Sequence, residues 1–468
     1  MDAKNNLIKN VLIFSIGNLG SRFLVFFLVP LFSYYLSTSE MGYYDLVVVT
    51  IGLVVPLATI QLSDSIYRWL LDIKDKKFHE VISTSFILLG ITIIIFLLLI
   101  YILTFFFEIK YKWLVAEYFL ISCIYPFVLA IARGMRLNKL YALSGIINSL
   151  ILVFLNWLLL TQYSLGIKAL FIASIVANSF SVLMLFYQTK MYKYISFTYF
   201  SKTTVYSFVS YSLPLIPNAI SWWFINSANR YLILYFLGEE NNGIYAMSNR
   251  IAMALYAVNS IFNLAWQESA ISEFDKENKD KFYSEIFNKY FILQISVIIL
   301  MIPLSKLFVL FFVSEEFIDS WKYMPLLLIG VAFASFSAFF GTGYLSAKKT
   351  IGAFSTTIYG AIVNIVLSFL LIPLLGLHGA TIGIVSGFIV TWLLRIYQTK
   401  KYFNIIFDKL RMGLILGILG IAVFLNFNIN NPYGLCIFAF ICLCVFIFFN
   451  KSMINQVFKK IIFKKVTQ

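Results

Sequence analysis

Charge is what this chain has least of. Only 12% of its 468 residues are Asp, Glu, Lys or Arg, while 61% are hydrophobic and the mean hydropathy is +0.88. Soluble domains carry about a quarter charged residues, and so little polar surface cannot cover a water-soluble fold. Cysteine and histidine are nearly as scarce. Cys123, Cys436, Cys442 and Cys444 all lie in apolar runs, and their spacing to His79 and His378 is not that of a metal site. Neither a metal nor a cofactor is expected, and the cysteines read as small packing residues. No loop exceeds about 20 residues, which leaves no room for an extramembrane catalytic domain. With the histidines isolated and no acid/base cluster in view, an enzyme is not expected. The first apolar run, Asn10–Leu36, is too long for a cleaved signal peptide and should remain as a helix.

What is present is a series of apolar runs long enough to cross a bilayer, which takes about 20 residues of helix. The runs lie near 8–36, 42–66, 82–106, 113–132, 141–162, 168–188, 205–237, 243–270, 285–313, 323–346, 352–374, 379–398, 412–428 and 433–450. The expected fold class is therefore an all-α polytopic membrane protein of about 14 transmembrane helices. The net charge of +15 is explained by where the cations fall. With the N-terminus placed inside, the cytoplasmic segments hold 28 of the 36 Lys and Arg; the opposite side holds Lys110, Lys112, Lys168, Lys306 and Lys322. Such asymmetry orients a membrane protein with both termini cytoplasmic and removes the case for nucleic acid as a partner. Lys459, Lys460, Lys464 and Lys465 alternate with apolar residues, so the tail is expected to rest on anionic membrane lipid.

The chain also repeats itself. Leu36, Gly42 and Tyr44, with Glu40 among them, recur as Leu237, Gly243 and Tyr245, with Glu239 and Glu240 among them, at an offset of 201. Leu165-Gly166-Ile167-Lys168-Ala169 recurs as Leu375-Gly376-Leu377-His378-Gly379-Ala380, with an offset of 210. Two six-helix halves of equal orientation follow, with borders at 1–200 and 201–400, then two helices and a basic tail over 401–468. Gly and Tyr also suit short membrane turns in their own right. A parallel repeat of this kind is the construction of transporters that bind between their halves.

Charged groups inside spans are costly and usually face a cavity or a partner. Arg22, Arg230 and Arg250 fall within spans one, seven and eight. Arg22 is mid-span; the other two are near enough to an end for snorkelling to be the competing account. Guanidinium groups in low dielectric suit a phosphate or pyrophosphate. Asp64 and Glu268, near the ends of spans two and eight, are candidates for ion coupling, although Asp64 can pair with Arg68 one turn on. Glu268 follows Arg250 by five helical turns, on the same face. Pro214 and Pro217 are expected to bend the start of span seven.

The stretch Ser212-Leu213-Pro214-Leu215-Ile216-Pro217-Asn218, then Ser221-Trp222-Trp223, Asn229-Arg230-Tyr231 and Gly243-Ile244-Tyr245-Ala246, resembles the Wzx-type polysaccharide repeat-unit flippases. Trp266-Gln267, Gly341-Thr342-Gly343-Tyr344 before Lys348-Lys349-Thr350, Asn364 and Leu371-Ile372-Pro373 extend the likeness. The resemblance implies two lobes in the V-shaped arrangement of the multidrug/oligosaccharidyl-lipid/polysaccharide exporters, working by alternating access. It implies an undecaprenyl-pyrophosphate-linked oligosaccharide as cargo, a bacterial cytoplasmic membrane, and a polysaccharide polymerase and glycosyltransferases of the same pathway as possible partners. Arg22 resembles the span-one arginine of the related lipid II flippases. Asn18, Asn226, Asn229, Trp222, Trp223 and Gln267 are candidates for sugar contact, with interfacial packing the competing role for the tryptophans. A lipid II or drug/cation exporter of the same superfamily is the alternative; a membrane-embedded polymerase is more distant.

Overall fold

The computed structural model describes residues 26–72, 77–106, 108–274, 276–347 and 351–466. Arg22 and Asn18, the body of the first span and Lys348-Lys349-Thr350 lie outside the described residues. The described chain is helical, with 3-10 turns and no strand. The helices are α1 Leu28–Tyr35, α2 Thr38–Ala58, α3 Leu62–Asp72, α4 Phe78–Leu103, α5 Lys112–Gly134, α6 Asn138–Thr161, α7 Ile167–Gln188, α8 Lys202–Ser212 and α9 Ile216–Ser227. They continue as α10 Asn229–Glu273, α11 Lys279–Phe312, α12 Met324–Ser346, α13 Ile351–Leu375, α14 Leu377–Thr399, α15 Lys409–Asn428 and α16 Pro432–Val466. Among the described residues, 11 helices are long and apolar enough to cross a membrane. The runs read as the seventh and eighth spans lie in α8, α9 and α10. Gly238, at φ +84°, interrupts α10 where the seventh span ends and the eighth begins. The seventh span runs through α8, a 3-10 turn at Leu213–Leu215 that holds Pro214, α9 and the start of α10. The second span ends early. Ile60 and Gln61 adopt φ of +49° and +52° between α2 and α3, a conformation that is uncommon for any residue but glycine and rarer still for β-branched Ile60.

The chain packs as two compact units, Met1–Tyr231 and Leu232–Gln468. In the first, α2 opens on a capping box: Ser37 Oγ accepts from the Glu40 amide and the Glu40 carboxylate accepts from the Ser37 amide. The same carboxylate accepts from the Ile167 amide at 3.4 Å, which ties the start of α7 to the start of α2. The core is an apolar cluster of α2–α5 and α7, including Ile66, Phe119, Cys123, Phe127 and Phe171. Gly166 and Gly376 precede α7 and α14 with φ/ψ of +53°/−138° and +59°/−138°. The two glycines share one backbone conformation, which a residue with a side chain adopts only at a cost.

In the second unit, Gly379, Gly383 and Gly387 line the face of α14 that lies on α13. A Cβ at any of them would overlap Leu371, Ser368 or the Gly360 carbonyl. In lipid, where apolar faces gain little from leaving their solvent, such close backbone contact is what holds helices together. Arg395 of α14 is buried and donates to the Ser337 carbonyl at 2.8 Å and to the hydroxyls of Thr356 and Thr357 at 3.1 and 3.0 Å. It also reaches the Ala353 carbonyl, so one guanidinium pins α12 and α13 to α14. The count of cations by loop places Arg395 on the cytoplasmic side; the structure sets it among the helices.

The last two helices, α15 and α16, dock on α11. Asn450 Nδ2 donates to Ser296 Oγ at 2.7 Å. Lys306, expected as an outer-loop cation, is instead 2% exposed within α11. Its ammonium donates to the carbonyls of Asn426 and Ile429 at 2.7 and 2.8 Å and sits 3.8 Å from the centre of the Trp321 ring. It thus caps the carbonyl end of α15, where the helix dipole is negative. Lys306→Met keeps the stem and removes the charge. It is expected to cost about 2–3 kcal/mol, the scale of a hydrogen bond to a charged group, read as a lower melting temperature in detergent. Cys123 and Cys442 are buried as expected, but Cys436 and Cys444 are exposed on α16, so packing is the role of only the first two.

Candidate functional site

The in-span groups that sequence singles out fall into two sets. In the first unit, α9 and the start of α10 carry Trp222, Trp223, Asn226, Asn229 and Arg230, and α9 packs against α2. Arg230 is 4% exposed. Its Nε donates to Asp45 Oδ2 at 3.2 Å, and Nη1 donates to the Asn226 carbonyl at 2.6 Å, beside the break between α9 and α10. Five residues on from Asp45, Thr50 Oγ1 lies 2.6 Å from the Tyr231 hydroxyl, and the Trp223 indole donates to the Val49 carbonyl at 2.8 Å. The Trp223 and Tyr231 rings meet with centres 5.8 Å apart. This is a polar seam between two spans, with one buried ion pair at its heart.

The seam assigns roles that sequence alone leaves open. Arg230 does not snorkel; its charge is held inside by Asp45, whose side chain is 20% exposed. Asp45 is not among the residues that the sequence reading selects. It sits in Tyr43-Tyr44-Asp45-Leu46-Val47-Val48, an acid in an apolar run, and an in-span acid is a signal of the same kind as the arginines. The Trp223 N–H is spent on α2, Asn226 Nδ2 on the Trp222 carbonyl at 2.8 Å, and Asn229 is buried. Trp222 is half-buried. Asp64, on α3, is exposed.

The second set lies on α10 in the second unit. Arg250 and Gln267 are half-buried and Glu268 is exposed. Ala257, between Arg250 and Glu268, is buried, while Ala254 and Ile261 are half-buried. Trp266 is fixed as core: its indole donates to the Phe339 carbonyl at 3.1 Å and stacks on the Phe339 ring at 4.0 Å. Among the described residues no group of three or more His, Cys, Asp or Glu is placed to hold a metal.

Solved structures of membrane transporters share the fold of this chain. A structure titled as the lipid II flippase MurJ in an inward closed conformation superposes with a TM-score of 0.74 and 17% identity, covering 96% of this chain and 100% of that one. An inward-facing multidrug resistance MATE family transporter of the MOP superfamily gives 0.65 and 16%, over 86% and 95% of the two chains. The chain is thus a multi-pass membrane protein with the MurJ/MATE fold. It belongs to the polysaccharide biosynthesis protein family, which matches residues 7–267. No curated protein sequence matches it.

Proposed function

We propose that the protein is a Wzx-type flippase that moves a lipid-linked oligosaccharide, carried on undecaprenyl pyrophosphate, from the cytoplasmic to the outer leaflet of a bacterial cytoplasmic membrane. The observation that carries this reading is the polysaccharide biosynthesis family match, made by a chain whose fold is that of membrane transporters. The physics of the cargo agrees. Its head is anionic and hydrated and its tail apolar, so a path across the bilayer needs cationic groups within helices. Arg22, Arg230 and Arg250 are proposed to meet the pyrophosphate in turn, with Asn18, Asn226, Asn229, Trp222, Trp223 and Gln267 lining the sugar path. Arg230 reaches phosphate by exchanging one oxyanion, the Asp45 carboxylate, for another, so its charge stays compensated inside the membrane. Asp64 and Glu268 are proposed for ion coupling.

The test is flipping by purified protein in proteoliposomes, with a fluorescent lipid-linked oligosaccharide in the inner leaflet and an impermeant quencher outside. Protein-dependent quenching is expected. Removing the charge at Arg22 and Arg250, and at Arg230 in the double variant Asp45→Leu with Arg230→Met, is expected to abolish it while expression is unchanged; full activity of Arg22→Ala removes that residue from the site. Transport of lipid II but not of the oligosaccharide would move the cargo to a peptidoglycan precursor. A coupling role for the acids fails if protein carrying both Asp64→Asn and Glu268→Gln keeps the wild-type response to pH and sodium.

A further inference from the structure

At one end of the first unit, where α4 ends and α5 begins, the chain forms a recess of about 470 Å³. Thr104, Glu108, Ile109, Tyr111, Lys112 and Trp113 line it. Tyr111 is its hub. It adopts φ +56° and ψ +38°, left-handed backbone that costs a non-glycine residue energy and is held here from outside. The clamp is Tyr43 of α2, whose hydroxyl donates to the Lys110 carbonyl at 2.6 Å and whose ring meets Tyr111 edge-on at 6.4 Å.

Three lysines gather on these rings. Lys112 Nζ is 5.8 Å from the centre of Trp113, Lys168 Nζ 5.6 Å from Tyr111, and Lys110 Nζ 5.5 Å from Tyr43. All three are exposed, and among the described residues lining the recess Glu108 is the one acid. A ring face orients an ammonium without neutralising it, so Lys112 and Lys168 keep their positive potential for a ligand. Of the five lysines that the sequence assigns to this side of the chain, three are in this cluster; Lys306 is buried in its cap and Lys322 pairs with Asp319 at 2.8 Å. Around the recess Phe105, Phe106 and Trp113 are 72%, 76% and 69% exposed. Large bare aromatics at the end of a spanning helix belong at the headgroup level of a bilayer.

We infer that this recess binds a phosphate group at the membrane surface, with Lys110, Lys112 and Lys168 contacting its oxygens and the aromatic rim set among the lipids. A phospholipid headgroup and the pyrophosphate of a lipid-linked cargo share that chemistry, and the exposed aromatic rim favours the phospholipid. The site does not depend on which cargo is moved.

The test compares the full-length protein with the triple variant Lys110→Gln, Lys112→Gln, Lys168→Gln, each in nanodiscs of equal phosphatidylglycerol and phosphatidylcholine. Lipid retained on release into detergent is counted by native mass spectrometry. Each lysine near an anionic surface contributes about fivefold to such binding. Wild type is therefore expected to retain phosphatidylglycerol over phosphatidylcholine by at least that factor more than the triple variant does. Glu108→Gln is expected to retain it as well or better. A second arm measures binding of inorganic pyrophosphate in neutral nanodiscs; loss there alone would assign the site to a cargo headgroup. The basic C-terminal tail binds anionic lipid equally in both proteins and cancels. The lysines are exposed, so an unchanged melting temperature separates loss of binding from loss of fold. Equal lipid retention and equal pyrophosphate binding in the two proteins would overturn the assignment.

Discussion

Exchanging Asp45 for asparagine is expected to destabilise the first unit by about 3–5 kcal/mol, because it removes the carboxylate with which a buried guanidinium is paired. Arg230 is 4% exposed and cannot recover water without moving α9 away from α2. The Asn226 carbonyl, which accepts from the same guanidinium at 2.6 Å, is neutral and does not replace the charge that Asp45 supplies. The shape of the side chain is preserved, so the loss isolates the charge. In a unit of this size it corresponds to a fall in melting temperature of about 10 °C. Replacing both partners, Asp45→Leu with Arg230→Met, is expected to recover most of that fall, because desolvating an ion pair costs nearly what the pair returns. The double variant also separates architecture from transport. On the proposed function, the restored protein flips lipid if Arg230 serves only as a clamp, and is stable and inactive if Arg230 also meets the cargo. A melting temperature for Asp45→Asn within a degree or two of wild type would show that the pair is not the one holding α2 to α9.

Much of this architecture is legible in the sequence because the bilayer imposes a simple rule: every backbone polar group must be satisfied within its own helix, so a run of about 20 apolar residues declares itself. The runs near 113–132, 141–162 and 168–188 are the helices Lys112–Gly134, Asn138–Thr161 and Ile167–Gln188. Prolines are readable for the same reason, and Leu213–Leu215 is a 3-10 turn where Pro214 removes an amide donor. The break at Ile60–Gln61 is not readable. Neither residue breaks helices in general, and neither side chain favours the left-handed backbone both adopt.

Pairing is the harder part of the site. Hydropathy marks Arg230 as costly but is silent on what lies across the helix interface, 185 positions away in sequence. Lys306 and Arg395 show the opposite error. A positive charge near the end of an apolar run reads as part of a loop, since snorkelling is the common outcome. Here one caps the carbonyl end of α15 and the other is spent on carbonyls and hydroxyls of α12 and α13. Counting charges by loop survives such exceptions because the asymmetry it measures is large. Assigning a role to one cation does not.

Gly383→Leu is expected to open the α13–α14 pair and to cost about 3 kcal/mol or more, the upper range for adding bulk to a packed interior. Gly383 sits in the middle of the Gly379, Gly383, Gly387 line, one helical turn from each. A Cβ there would run into the Ser368 hydroxyl and would lie 3.0 Å from the Asn364 carbonyl and from the Ser368 amide. Two of those three atoms are backbone, so no rotamer change relieves the overlap. Ser368 has little freedom either, since its hydroxyl donates to Asn364 Oδ1 at 3.2 Å and both residues are fully buried. The helices must therefore separate, and separation weakens a second anchor: Arg395 of α14 holds Thr356, Thr357 and the Ala353 carbonyl of α13. Gly383→Ala asks for less movement and is expected to fall between the leucine variant and wild type. At Gly413 and Gly417 on α15 an added Cβ would meet no atom within 4 Å. Gly417→Ala therefore serves as a control and should leave the melting temperature unchanged or raise it slightly through helix propensity. Graded loss from alanine to leucine at Gly383, with none at Gly417, is the signature of direct backbone contact. An indifferent Gly383→Leu protein would mean that α13 and α14 do not meet along this line.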